Sequence, residues 1–326
     1  MLGFMCSGDG EITGNAGLKD QVLALQWVQE NIAHFGGDSQ NVTIFGGSAG
    51  GQSVGFHLVS PMSAGLFHRA IVQSTPPIFR HSEQRFYRQH FLDMASTMFN
   101  CAGDDVITCL QNVEAEQFVG VSFNPVIDGD FLMENPKTSF ENGRINNVDL
   151  MIGFNSDDGD VYADFLPQIF QYDGIDNQAE VDFSFMLALS SFAGDGTNGG
   201  DVTLKRKGLD ALNLADVMTP IKSLYGSTDP VQTERLLLDS FRDSGFVTIA
   251  LYLAYQMARN GNNVYVYSFE HRSSFLPSFD VPRYAPHAHE LLYMFGSLYA
   301  NPFANQNERL LSLSMLQTWT SFGSDG

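Results

Sequence analysis

Hydrophobic positions recur along this chain with two different periods. Over residues 17–35 they fall at Leu18, Val22, Leu25, Val28 (or Gln29 on the same stripe) and Ile32. Spacings of three and four place them on one helical face, and Gly36-Gly37 closes the helix. Four short apolar runs, residues 42–45, 69–72, 148–154 and 263–269, are rich in β-branched and aromatic side chains and predict strands. The residues after Gly50 and residues 307–322 return to helical spacing, and Pro76-Pro77 breaks the chain after the second strand. Helices alternating with short apolar strands predict an α/β architecture, with residues 1–326 as a single domain. The stretch from about 160 to 240 is least regular, with GDGTNGGD inside 170–205, and reads as a surface excursion or lid. No internal repeat, low-complexity block or interdomain linker interrupts the pattern.

One junction breaks the usual rule that a buried strand ends in a polar turn. Residues 41–51 read NVTIFGGSAGG, and Gly46-Gly47-Ser48-Ala49-Gly50 fits G-x-S-x-G. A serine between a strand and a helix must hold a strained backbone angle for its hydroxyl to stand above the sheet. Side chains two residues before or after it are expected to collide with neighbouring elements, hence Gly46 and Gly50. The following helix would aim its first N–H groups at the reacting centre, with the Ala49 N–H as an oxyanion donor. A plain tight turn is the competing reading of these five residues.

A serine hydroxyl needs a base, and the base needs an orienting carboxylate. Of eight histidines, His34, His57, His68, His81 and His90 lie close to the serine in sequence, while His271, His287 and His289 come late. A strand-end run, FNSDDGD, offers Asp157, Asp158 and Asp160, which as easily form a solvated acidic turn. Spacing alone leaves both choices open.

Composition narrows the partners. The chain has 17 basic and 37 acidic residues, a net charge of −20, which repels phosphate backbones and anionic lipid. Nucleic acid is therefore not an expected partner. No apolar run reaches the roughly 18 residues of a transmembrane helix, and MLGFMCSGDGE lacks the pattern of a signal peptide. Cys6, Cys101 and Cys109 are too few for a disulfide scaffold or a zinc site. Cys101 and Cys109 either close a short loop or remain two thiols.

The region GNAGLKDQVLALQWVQENIAHFGGDSQNVTIFGGSAGGQSV resembles the signature of type-B carboxylesterases, the cholinesterase and bile-salt-activated lipase family. The likeness continues through SPMSAGLFHRAIVQS, FNPVIDGDF, GFNSDDGD and HAHELLYMFG and weakens only over 160–240. The resemblance implies an α/β-hydrolase fold with a mostly parallel central sheet flanked by helices. It also implies a serine carboxylic ester hydrolase acting on a small-molecule or lipid ester, with no cofactor and no metal. It selects Asp158 from G-x-x-x-x-[ED]-G, where most cholinesterases carry Glu, and His287 from its distance to Gly296. Ser48, Asp158 and His287 then form the triad, Glu290 matches a family acidic residue, and Ser74 matches a residue near the triad. The Cys101–Cys109 disulfide and a secretory setting are implied in the same way.

This chain departs from the pattern in three ways. Gly47 stands where the family commonly has Glu, and Thr75 replaces a glycine. The opening LGFMCSGD resembles a segment downstream of the family's His-Gly-Gly loop, which supplies two oxyanion donors and would leave only Ala49 here. The chain is therefore expected to be a fragment truncated at both ends, lacking the N-terminal strands. The alternatives are a catalytically impaired or inactive cholinesterase-like fragment and an adhesion or scaffold protein.

Overall fold

The computed structural model describes residues 2–76, 82–121, 123–162, 230–276 and 284–326. Residues 163–229 of the expected excursion lie outside the described residues, as do Pro77 and His81. Described strands are β1 (Thr43–Gly47), β2 (Arg69–Gln73), β3 (Ser82–Glu83), β4 (Val126–Ile127), β5 (Asp149–Asn155) and β6 (Val264–Phe269). Among the described residues, β3 and β4 pair only with each other, whereas β1, β2, β5 and β6 lie side by side in that order, all parallel. The register sets Gly47 beside Gln73, Gln73 beside Gly153, and Asn155 beside Phe269. Strand ends that carry chemistry therefore meet along one edge of the sheet, as expected for an α/β fold.

Both faces of this sheet are covered, which is why its strands read as nearly continuous apolar runs. Ala70, Val72, Leu150 and Ile152 point into one cluster. It is completed by Leu18 and Val22 of α1 (Ala16–Asn31), Val54 and Phe56 of α2 (Ala49–His57), and a later helix that supplies Ile249, Leu253 and Met257. The alternate residues Ile71 and Met151 point the other way, onto Phe322. In α1 the predicted stripe divides by chemistry. Leu18 and Val22 are buried and Leu25 packs at the margin, while the Gln29 amide donates to Ser39 O (3.0 Å) and Leu66 O (2.9 Å). A 3₁₀ turn, Ile32–Phe35, extends the helix, and Gly36 at φ 78° ends it.

A satellite cluster joins Met5 to α3 (Tyr87–Phe99) and α4 (Val106–Gln111). The disulfide expected between Cys101 and Cys109 is present there, whereas Cys6 is buried and free. After the short α5 (Pro136–Glu141), helix α6 (Pro230–Arg242) runs through a π turn into α7 (Thr248–Arg259). Helix α8 (Leu291–Met294) precedes α9 (Gln306–Asp325), which starts on a capping box. Asn305 Oδ1 accepts from the Glu308 N–H (3.0 Å), and Glu308 Oε2 accepts from the Asn305 N–H (2.8 Å). Among the described residues, no helix is long and apolar enough to cross a membrane.

The Cys101–Cys109 bond closes a loop of sequence separation 8. Replacing both cysteines with serine is expected to cost about 2–3 kcal/mol, read as a lowered urea midpoint.

Candidate active site

Strand β1 ends at Gly47 and α2 begins at Ala49, so Ser48 alone makes the junction. It does so at φ 55°, ψ −121°, a conformation that costs a non-glycine residue about 1–3 kcal/mol unless its surroundings impose it. They do. The Ser48 N–H donates to Gln73 O (2.9 Å), and Ser48 O accepts from the Gln52 N–H (2.9 Å). At Gly46 a Cβ would lie 2.4 Å from the Gly50 carbonyl carbon, so glycine is required there. The expectation differs at Gly50, where a Cβ would meet nothing within 4 Å. The close approach falls instead at Gly51, one residue beyond the pattern, whose Cβ would sit 2.8 Å from Gln73 O. The Ala49 N–H is the first of α2 and belongs to the helix turn whose N–H groups have no intrahelical acceptor.

At the neighbouring end of β5 the three candidate aspartates have three different jobs. Asp158 is fully buried; its Oδ2 accepts from the Asn155 N–H (2.7 Å), and its Oδ1 meets His287 Nδ1 at 2.8 Å. A carboxylate on Nδ1 fixes the imidazole proton there and leaves Nε2 as the basic nitrogen. Asp160 Oδ1 accepts from the His287 backbone N–H (2.8 Å). Asp157 is buried and accepts from the Tyr284 N–H in the loop that leads to His287. Burial alone would depress the His287 pKa. The hydrogen bond and attraction of Asp158, with Glu290 and Asp160 adding, outweigh it and hold the pKa above the ordinary imidazole value.

The other late histidines are engaged elsewhere. His289 Nε2 hydrogen-bonds Ser273 Oγ (2.6 Å), and its pKa falls to about 4, mainly through burial. His271 lies 3.7 Å from Glu308. His57 is clamped between Ser63 Oγ (2.7 Å) and Gln21 Oε1 (2.9 Å), with burial pulling its pKa to about 4. Ser74, at φ 45°, is buried at the end of β2, and its hydroxyl has no hydrogen-bond partner among the described residues.

Beneath these groups lies a buried bridge that sequence spacing did not single out. Glu290 Oε1 accepts from Gln73 Nε2 (3.3 Å), and Glu290 Oε2 accepts from Asn155 Nδ2 (2.5 Å). The Asn155 amide also donates to Pro286 O (2.8 Å), next to His287. Burial raises the Glu290 pKa most, and Asp158 adds to the rise. The bridge connects the strand end that receives the Ser48 N–H to the turn carrying Asp158 and the loop carrying His287. Gln73 and Asn155 have no spacing signature of their own; only the register brings them together. Leu291, just after Glu290, lies 3.7 Å from where a Cβ on Gly47 would sit. No hydrogen bond joins Ser48 Oγ to His287 Nε2 among the described residues.

A family model described as Carboxylesterase family matches residues 1–326. The chain is 32% identical over 343 residues to pyrethroid hydrolase Ces2e of Rattus norvegicus, covering 100% of this chain and 56% of that protein. It is 32% identical over 349 residues to cholinesterase of Mus musculus, covering 100% and 54%. With the medium-chain fatty acyl-CoA hydrolase precursor of Anas platyrhynchos it shares 32% identity over 338 residues, covering 100% and 58%. The chain thus spans about half the length of the curated relatives it matches.

The two glycines of the elbow separate steric need from pattern. Gly46→Ala is expected to cost about 1–3 kcal/mol through overpacking, whereas Gly50→Ala, in an open helical position, is expected to be neutral or stabilising by up to about 1 kcal/mol. Urea unfolding of both variants measures the contrast.

Proposed function

Because the chain belongs to the carboxylesterase family, we propose that it hydrolyses carboxylic esters through Ser48, His287 and Asp158. The observation that carries this reading is the buried 2.8 Å contact between Asp158 and His287, at the same sheet edge where β1 presents Ser48. Ser48 Oγ attacks the ester carbonyl carbon while His287 Nε2 takes its proton. Asp158 stabilises the imidazolium, and the Ala49 N–H donates to the carbonyl oxygen as it becomes an oxyanion. Collapse of the tetrahedral species breaks the bond to the alcohol oxygen, which leaves with the proton from His287. Water, deprotonated by His287, then attacks the acyl-Ser48 ester; the acid departs and Ser48 regains its proton. No step requires a metal or an organic cofactor.

The relatives' names point to a substrate class: a pyrethroid hydrolase, a cholinesterase and a fatty acyl-CoA hydrolase. For this chain we take that class to be small-molecule or lipid esters. The Cys101–Cys109 disulfide supports an oxidising, secretory setting for the protein.

Two measurements test the reading. A short-chain nitrophenyl ester should be turned over, a serine-directed organophosphonate should label Ser48, and Ser48→Ala should abolish both. Well-folded protein that neither turns over nor takes the label returns the chain to a non-catalytic scaffold. The second is the pH profile. General-base action needs neutral imidazole, so activity is lost below the His287 pKa and gained as pH rises through it. The midpoint of the acid limb of kcat/KM is expected above 6.5, the ordinary imidazole value. Asp158→Asn should move that midpoint down and reduce kcat by about 1,000- to 10,000-fold.

A further inference from the structure

We propose that Arg235 of α6 is a positioning residue: through Asp157 it locks the turn carrying Asp158 to the loop carrying His287. The two oxygens of Asp157 divide between these elements. Oδ1 meets the Arg235 guanidinium, and Oδ2 accepts from the Tyr284 N–H. The Asp157 N–H donates to Ala285 O (3.0 Å), and Asp157 also forms a parallel bridge with Pro286, the residue before His287. One side chain therefore joins the acid turn, the base loop and the helix outside them.

The guanidinium is oriented from its own helix. Asp239, one turn on, meets Arg235 Nη2 at 2.9 Å and Nε at 3.3 Å. The same carboxylate meets Arg242 Nη1 at 3.0 Å, and Arg242 Nη1 also donates to Ser156 O (2.9 Å). Residues 235, 239 and 242 thus form one charged stripe along α6 that faces the turn. The turn sits directly on the helix: a Cβ on Gly159 would lie 1.9 Å from Leu238 O. Only glycine permits that approach, and it directly follows Asp158.

An exposed ion pair with this geometry would contribute little. Asp157 is 4% exposed, however, so removing Arg235 leaves a buried carboxylate whose other oxygen still holds the base loop. The turn then relaxes towards solvent to hydrate that charge. Asp158, the next residue, moves with it relative to His287. A positioning role thus makes the Asp158–His287 contact, and not stability alone, depend on α6.

The test uses the whole chain and two readouts. The first is the downfield proton resonance of His287 Nδ1–H, assigned by its absence in His287→Asn. The second is kcat against KM for the nitrophenyl ester; this arm rests on the esterase reading, while the resonance does not. Arg235→Met is expected to broaden or abolish the resonance and lower kcat by about 10- to 100-fold, with KM within about 3-fold. Arg235→Lys, which keeps the charge but not the fork, should fall between. Asp157→Asn keeps an acceptor for the Tyr284 N–H but turns its amide NH2 towards the Arg235 guanidinium. The link to α6 is then lost from the other side, and the variant should follow Arg235→Met. A folded Arg235→Met with the parent's resonance and kcat overturns the proposal, as does a lowered thermal midpoint with neither readout moved. If Arg235→Met does not fold, Arg235→Lys and Asp157→Asn decide by the same criteria. Should the parent chain fail to react with the organophosphonate, the esterase reading fails and the resonance alone decides the role of Arg235.

Discussion

The contact on which the site depends is the hydrogen bond between Asp158 and His287, two side chains 129 residues apart in the chain. Such a bond stabilises only if both partners lose little further freedom in forming it and neither is left buried without its other contacts. The chain meets both conditions by assigning neighbouring residues to backbone work. Asn155 supplies the N–H for the second Asp158 oxygen, Asp160 holds the His287 N–H, and Asp157 holds the Tyr284 N–H. An acidic run that reads as a solvated turn is instead a set of carboxylates, each facing a specified donor.

Excess negative charge is the cost of that arrangement. Asp158, Asp160 and Glu290 act on one imidazole, Asp157 is buried in the adjoining turn, and Asp158 and Glu290 are fully buried. Repulsion between carboxylates in a low dielectric is offset in two ways. On the outer side, Arg235 and Arg242 of α6 meet Asp157, Asp239 and Asp243. On the inner side, neutral amides from Gln73 and Asn155 surround Glu290, whose pKa rises through burial. His287 sits between these layers, and its pKa is raised because the hydrogen bond and attraction of Asp158, with Glu290 and Asp160 adding, outweigh its burial.

The sheet is what makes the arrangement reachable. Parallel strands end in register, so Gly47, Gln73, Gly153 and Tyr267 arrive in one cross-strand row, with Asn155 two residues further along β5. Covered faces hold that row rigid: Ala70, Val72, Leu150 and Ile152 are clamped on one side, Ile71 and Met151 on the other. Ser48 is held at its strained angle by the same row, through Gln73 O. Strain at one residue is tolerated because the strand neighbours, and not the residue's own preference, fix its backbone.

Periodicity and local chemistry in the sequence determined the elements and their types: the helical stripe from Leu18 to Ile32, the four apolar strands, and the glycine need at Gly46. Those are short-range properties, set by side chains within a few residues of one another. A family resemblance went further and named Asp158 and His287 among candidates that spacing left open. Tertiary structure alone decided the rest. The backing of Gly51 on Gln73, the bridge at Glu290 and the clamp of Arg235 on Asp157 depend on where elements dock. None of these has a local signature. A glutamine or an arginine has the same sequence context whether it faces water or the end of a neighbouring strand. Docking alone sets which partner it meets.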